Sequence, residues 1–140
     1  MRRYLIVANQ TLTNPHLRNA VLARQMADDC EFHVVVPATR ARGTLTWTEG
    51  QAVAHARCAL EDVLTQFRSD GISATGDVGD DNPVLAVRDA LKQQHFDEII
   101  ISTLPPGASR WLKRDLPHRL AQHFALPVTH VTAPRMTAVH

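Results

Sequence analysis

No apolar run in the chain approaches the roughly 20 residues needed to cross a bilayer, which excludes a membrane-spanning helix. Charge of one sign is lacking too. The 15 Lys and Arg residues against 14 Asp and Glu leave a net charge of +1. No basic stripe is built from that balance, which argues against a dedicated nucleic-acid or membrane-surface binder. Cysteine is scarce: Cys30 and Cys58 stand alone, outside any Cys-x-x-Cys spacing, and no disulfide staple is expected. Both fall on apolar stretches and are expected to be buried, inert thiols. Aromatic residues make up 5% of the chain. The lone Trp47 and Trp111 are expected to pack or snorkel rather than stack on a ligand.

Several chemical signatures are missing as well. The segment after the first expected strand reads Asn9-Gln10-Thr11-Leu12, without the Gly-x-Gly-x-x-Gly turn that cradles a pyrophosphate. No glycine precedes a Lys-Ser or Lys-Thr pair, so there is no Walker A loop. Gly-x-Ser-x-Gly is absent, which argues against an α/β-hydrolase nucleophile elbow. The eight histidines show no metal spacing; His118 and His123 are separated so that a helix puts them on different faces. Each histidine is expected to be structural or solvated. Asp80 and Asp81, followed by Asn82 and Pro83, have the make-up of a helix start rather than of an acid–base pair. No catalytic residues and no metal ligands are expected, nor any cofactor, and the chain is read as non-enzymatic.

What the sequence does contain is an alternation of two periods. At 140 residues, with 44% hydrophobic and 21% charged residues, residues 1–140 form one ordinary globular domain. Apolar, β-branched runs at Arg3–Ala8, Phe32–Pro37 and Ile99–Thr103, with a weaker one at Ile72–Val78, read as strands buried on both faces. A last strand is expected at Pro127–Val131. Between them lie helical patterns. The first opens at Pro15 and carries Leu17, Val21, Leu22 and Met26. The second starts near Thr48 with a stripe of Val53, Ala56, Leu60, Val63, Leu64 and Phe67, and closes at Gly71. The third runs from Asn82-Pro83 to about Gln94, and the fourth ends at Phe124. The β-α-β-α-β-α-β-α-β order implies a single α/β domain, Rossmann-like, with an open, mostly parallel five-stranded sheet and helices on both faces. Ligands in such sheets bind outside the carboxyl ends of the strands where the strand order reverses. That rule selects Asn9, Val36, Ser102 and Thr103. The Met-Arg-Arg start leads straight into a strand with no secretory pattern, so a cytoplasmic location is expected.

The stretch Ser102-Thr103-Leu104-Pro105-Pro106-Gly107-Ala108-Ser109-Arg110-Trp111-Leu112-Lys113-Arg114-Asp115 carries the most information. Together with Tyr4–Asn9, the Asp97-Glu98-Ile99-Ile100-Ile101 strand entry, Leu116–Leu120 and the final Leu-Pro-Val, it resembles the universal stress protein family. The resemblance covers nearly the whole chain in element order and length. It implies a stress-response binding or regulatory domain that forms a homodimer through the last strand, Val128–Val131. Family members that bind ATP carry Gly-x2-Gly-x9-Gly-Ser/Thr between strand four and the last helix, where glycines let the backbone approach the phosphates. Laid on this chain, the motif falls on Ile101, Leu104, Arg114 and Asp115, and every position departs from it. The aspartate that family members often carry after strand one is replaced by Asn9.

Those departures predict loss of the usual ATP mode. Asp115 is expected to cap the last helix with its own carboxylate and fill the phosphate slot, while Pro117 removes an amide. An alternative stays open. Ser109, Arg110, Lys113 and Arg114 crowd four donors beside the expected crevice and suit an adenine nucleotide or another small anion held by side chains. A nucleotidyl transferase is disfavoured, because neither His-x-Gly-His nor a glycine-rich loop follows strand one.

Overall fold

The computed structural model describes residues 2–8, 15–38, 49–103 and 115–132. Strand β1 (Arg2–Ala8) is followed by helix α1 (Pro15–Ala27), β2 (Cys30–Pro37), α2 (Glu49–Ser69), β3 (Ala74–Gly79), α3 (Pro83–Gln93), β4 (Glu98–Thr103), α4 (Leu116–Phe124) and β5 (Val128–Thr132). The expected alternation is the observed one. All strand pairs are parallel, in the order β3-β2-β1-β4-β5.

The two-residue period of a strand divides the core between two faces. Tyr4, Ile6 and Ala8 of β1 point with Phe32, Val34 and Val36 of β2 into a layer closed by Leu17 and Val21 of α1 and Ala56, Leu60, Val63 and Phe67 of α2. Leu5 and Val7 point the other way, with Val35, Ile99 and Ile101, against Ala86, Val87 and Ala90 of α3 and Leu116 and Leu120 of α4. Two apolar layers sandwich one sheet, which is why the central strands read as unbroken apolar runs.

Helix ends follow from local chemistry. At the end of α2 the Ile72 amide donates to the Phe67 carbonyl (2.9 Å) and the Gly71 amide to the Arg68 carbonyl (3.1 Å). This is the paired Schellman closure, and it needs the positive φ of 78° that Gly71 adopts. At α3, the Asn82 side chain accepts from the Val84 amide (3.0 Å), and Pro83 occupies the first turn, where its missing amide costs nothing. The Asp80 carboxylate in turn accepts from the Asn82 amide (2.9 Å). Asp80 and Asp81 therefore belong to a helix start, as the sequence implies. Thr48, the expected capping residue of α2, lies outside the described residues.

Three expectations need correction. Met26 was placed on the apolar stripe of α1 but is 88% exposed. It lies about two and a half turns beyond Leu17 at 3.6 residues per turn, on the opposite side of the helix. Cys58 is exposed rather than buried, since its position on α2 points away from the stripe through Ala56 and Leu60. Cys30 is only half-buried, although burial, reinforced by Asp28 and Asp29, still pushes its thiol pKa up and keeps it unreactive.

Candidate functional site

The strand order reverses between β1 and β4: β2 and β3 lie outward from β1, and β5 lies outward from β4. The carboxyl ends of β1 and β4 run side by side, with Ala8 opposite Ser102. A crevice outside these two ends is the ligand position that parallel sheets of this kind use.

The candidates divide around that point. Ser102 and Thr103 sit at the end of β4, with 4% and 2% exposure. Alternation aims Ser102 to the α1–α2 side with Ile100, and Thr103 to the α3–α4 side with Ile101. Val36 lies near the end of β2 with a fully buried side chain, so it has only its backbone to offer a ligand. Asn9, Ser109, Arg110, Lys113 and Arg114 lie outside the described residues, as do Leu104, Trp47 and Trp111. Ile101 lies inside β4, fully buried between Val7 and His130. The first position of the family's glycine motif, as laid on this chain, therefore falls within the strand and not beyond its end.

The start of α4 differs from expectation. Asp115 stands at the N-cap position in a left-handed conformation (φ 53°, ψ 43°), and its side chain makes no capping bond. A capping carboxylate needs extended backbone to turn its oxygen toward the first free amides. The left-handed backbone of Asp115 is not that geometry, and Pro117 has no amide to offer. Only the Asp115 carbonyl takes part, accepting from the Arg119 amide at 3.1 Å. The carboxylate stays close to the end of α4 without being tied to it.

One residue near the crevice was not singled out from the sequence. His130 of β5 places Nε2 2.7 Å from Oγ1 of Thr103, joining the end of β4 to the edge strand. Partial desolvation holds its pKa below the ordinary histidine value, although the residue as a whole is exposed, and this favours the neutral ring. Its register opposite Ile101 depends on a pairing between distant segments, and no local pattern records that. Among the described residues, no group of three His, Cys, Asp or Glu side chains is placed to hold a metal ion. No described helix is long and apolar enough to cross a membrane.

No family model matches the sequence, and neither does any curated protein. Solved structures do match the fold. A universal stress protein family protein from Arabidopsis thaliana with AMP bound superimposes with a TM-score of 0.61 at 10% identity, over 94% of this chain and 92% of that one. A protein of the universal stress protein family from Burkholderia pseudomallei gives a TM-score of 0.59 at 14% identity, over 91% of this chain and 94% of its own. The chain thus has the universal stress protein fold across almost its whole length, as the sequence resemblance implies.

Proposed function

We propose that this chain is a non-enzymatic binding or regulatory module of the universal stress protein type, in which the family's ATP-gripping mode has been lost. The observation that carries this reading is the start of α4, where a phosphate would seat on free amides. There the Asp115 carboxylate lies without a capping bond, and Pro117 occupies the second helical position. A negative charge at that end repels a phosphate that the helix dipole would otherwise attract. The proline takes away one of the few amides that could bind it. The module acts as a cytoplasmic homodimer through the edge strand β5. The two free cysteines fit a reducing compartment, and Val128–Val131 lies in the outermost strand of the described sheet, an edge suited to pairing. Sedimentation at micromolar concentration checks the assembly: a monomeric mass removes the dimer.

A second reading is favoured by the AMP-bound Arabidopsis neighbour. A monophosphate asks less of the α4 terminus than a triphosphate does. In this reading Ser109, Arg110, Lys113 and Arg114 hold the phosphate by side chain, outside the carboxyl end of β4. Thermal-shift titration with ATP, ADP, AMP and cyclic nucleotides separates the two. A ligand at 100 times its Kd stabilises the fold by about 2.7 kcal/mol, which moves Tm by several degrees in a domain of this size. No shift across the panel supports the first reading. A shift with AMP that disappears in Arg114→Ala establishes the second.

A further inference from the structure

At the opposite end of the sheet, three polar side chains from β2 and β3 stand in one row. His33 pairs across the strands with Thr75, and Val35 with Asp77. The two-residue period brings His33, Thr75 and Asp77 onto the α3 face together. His33 Nδ1 lies 2.9 Å from Thr75 Oγ1, and its Nε2 lies 3.5 Å from Asp77 Oδ2. The imidazole is almost enclosed, with a side-chain exposure of 11%, and the Phe96 ring packs against it with centroids 6.0 Å apart.

Asp77 is largely exposed, at 67%, and its carboxylate stands within ion-pair range of Nε2. The tautomer the relay uses is the one with its proton on Nε2, facing that acceptor. Nδ1 then carries the lone pair and accepts the Thr75 hydroxyl proton. That is the order of a carboxylate–imidazole–hydroxyl relay, in which the base touches the nucleophile and a third group orients the base. Burial holds the His33 pKa below the ordinary value, with Asp77 pulling the other way. The ring is therefore neutral near pH 7 and free to take a proton.

His33 and Thr75 also line a cleft of about 110 Å³, together with Arg3, Ser73, Gln94 and Phe96. The cleft is far too small for a nucleotide but large enough for an acyl group of a few carbons. Ser73, Gln94 and Arg3 give the cleft polar side chains, Arg3 standing 3.6 Å from the Glu31 carboxylate that also lines it, and Phe96 gives it an apolar side.

We propose that Thr75 is a nucleophile, activated by His33 and oriented through Asp77, that accepts a small acyl group from an activated ester seated in this cleft. The Thr75 oxygen attacks the acyl carbon and its proton passes to His33 Nδ1. The bond to the leaving group breaks, and the leaving group departs with the electron pair. The imidazolium then returns its proton to the leaving group or to water. The product is an ester on Thr75, formed once per chain, so this is acyl acceptance and not turnover. The reaction is independent of the crevice at the carboxyl ends of the strands.

The probe is 4-nitrophenyl acetate, with release of 4-nitrophenolate followed in time and the acetylated position mapped by peptide mass spectrometry. The expected result is one acetyl group on Thr75, accompanied by a burst of phenolate that Thr75→Val loses. Acetylation of Thr75 in His33→Gln should be at least ten-fold slower. Asp77 is a positioning residue, so Asp77→Asn should slow the reaction with an unchanged melting temperature, and Asp77→Glu should recover part of it. Acetyl groups confined to lysines, with Thr75 bare, would overturn the proposal. So would Thr75 acetylation in a folded His33→Gln at the unsubstituted rate. If His33→Gln fails to fold, the folded Thr75→Val and Asp77→Asn variants still decide the matter: an unchanged phenolate burst in both overturns it.

Discussion

Single positions decide how closely the layers of this fold approach. Gly76 of β3 lies beneath α2 with no room for a side chain. A Cβ built there would sit 2.6 Å from Leu60 Cδ1 and 2.8 Å from the Val34 carbonyl oxygen. The leucine end can turn aside, but the carbonyl belongs to the neighbouring strand and is held by the sheet. Gly76→Ala is therefore expected to lower stability by about 1–3 kcal/mol, the usual cost of overpacking a filled core. Urea denaturation with an unchanged m-value would measure it. A variant as stable as the parent would show that β3 can drift outward, which the outermost strand of the described sheet permits more readily than a central one. Residue scale is also where the sequence misleads most. Cys58 and Met26 are apolar by type, yet the helical angle turns both outward, and side-chain type alone carries no angle.

At the scale of elements, starts and stops are written locally and were therefore legible. Asn82, Pro83 and Gly71 each do a job that depends on near neighbours in the chain. Asn82→Ala removes the side-chain acceptor for the Val84 amide and is expected to cost about 1 kcal/mol, lowering Tm by a few degrees. Asn82→Asp should keep nearly all of the stability, because the cap needs only an oxygen, and a calorimetric scan of the two variants makes the comparison. The alternation of strands and helices, the two-faced core and the parallel sheet were legible for the same reason, since each rests on a period repeated over several residues. The candidate site was legible only in part. Strand ends and the switch point follow from topology, which selected Ser102 and Thr103. Its missed partner, His130, depends on β5 lying beside β4. The αL backbone of Asp115 escaped as well, because an aspartate before a helix signals a cap unless its φ is known. The row of His33, Thr75 and Asp77 is the same kind of feature: two strands, one register, and nothing in either segment alone.

Acid stability belongs to the whole molecule, since it sums every group whose proton affinity changes on folding. Two sets of groups point in one direction. The His33 and His130 pKa values are held below the ordinary 6.5 by burial. The carboxyls of Asp70, Asp80 and Asp97 are held below 3.8, chiefly by a hydrogen bond from Arg18 and by the backbone amides of Asn82 and Arg3. In both sets the unfolded chain binds protons more readily than the folded one. Stability therefore rises with pH wherever these groups titrate, and the sign is the same for imidazole and carboxylate because every shift is downward. The histidine contribution is complete above about pH 6.5 and is lost as pH falls from there through the folded-state values of the two rings. The carboxylate contribution is complete above about pH 3.8 and is lost below it. Tm is accordingly expected to hold steady from pH 8 to 7, fall in a first step beginning near pH 6.5, and fall again below about pH 4. The first step isolates the rings of His33 and His130. A His33→Gln, His130→Gln double variant should flatten it while leaving the second in place, whatever its cost at pH 8. Melting curves for parent and double variant across that range provide the check. A first step of full size in the double variant would assign the loss to other groups and remove these two rings as its cause.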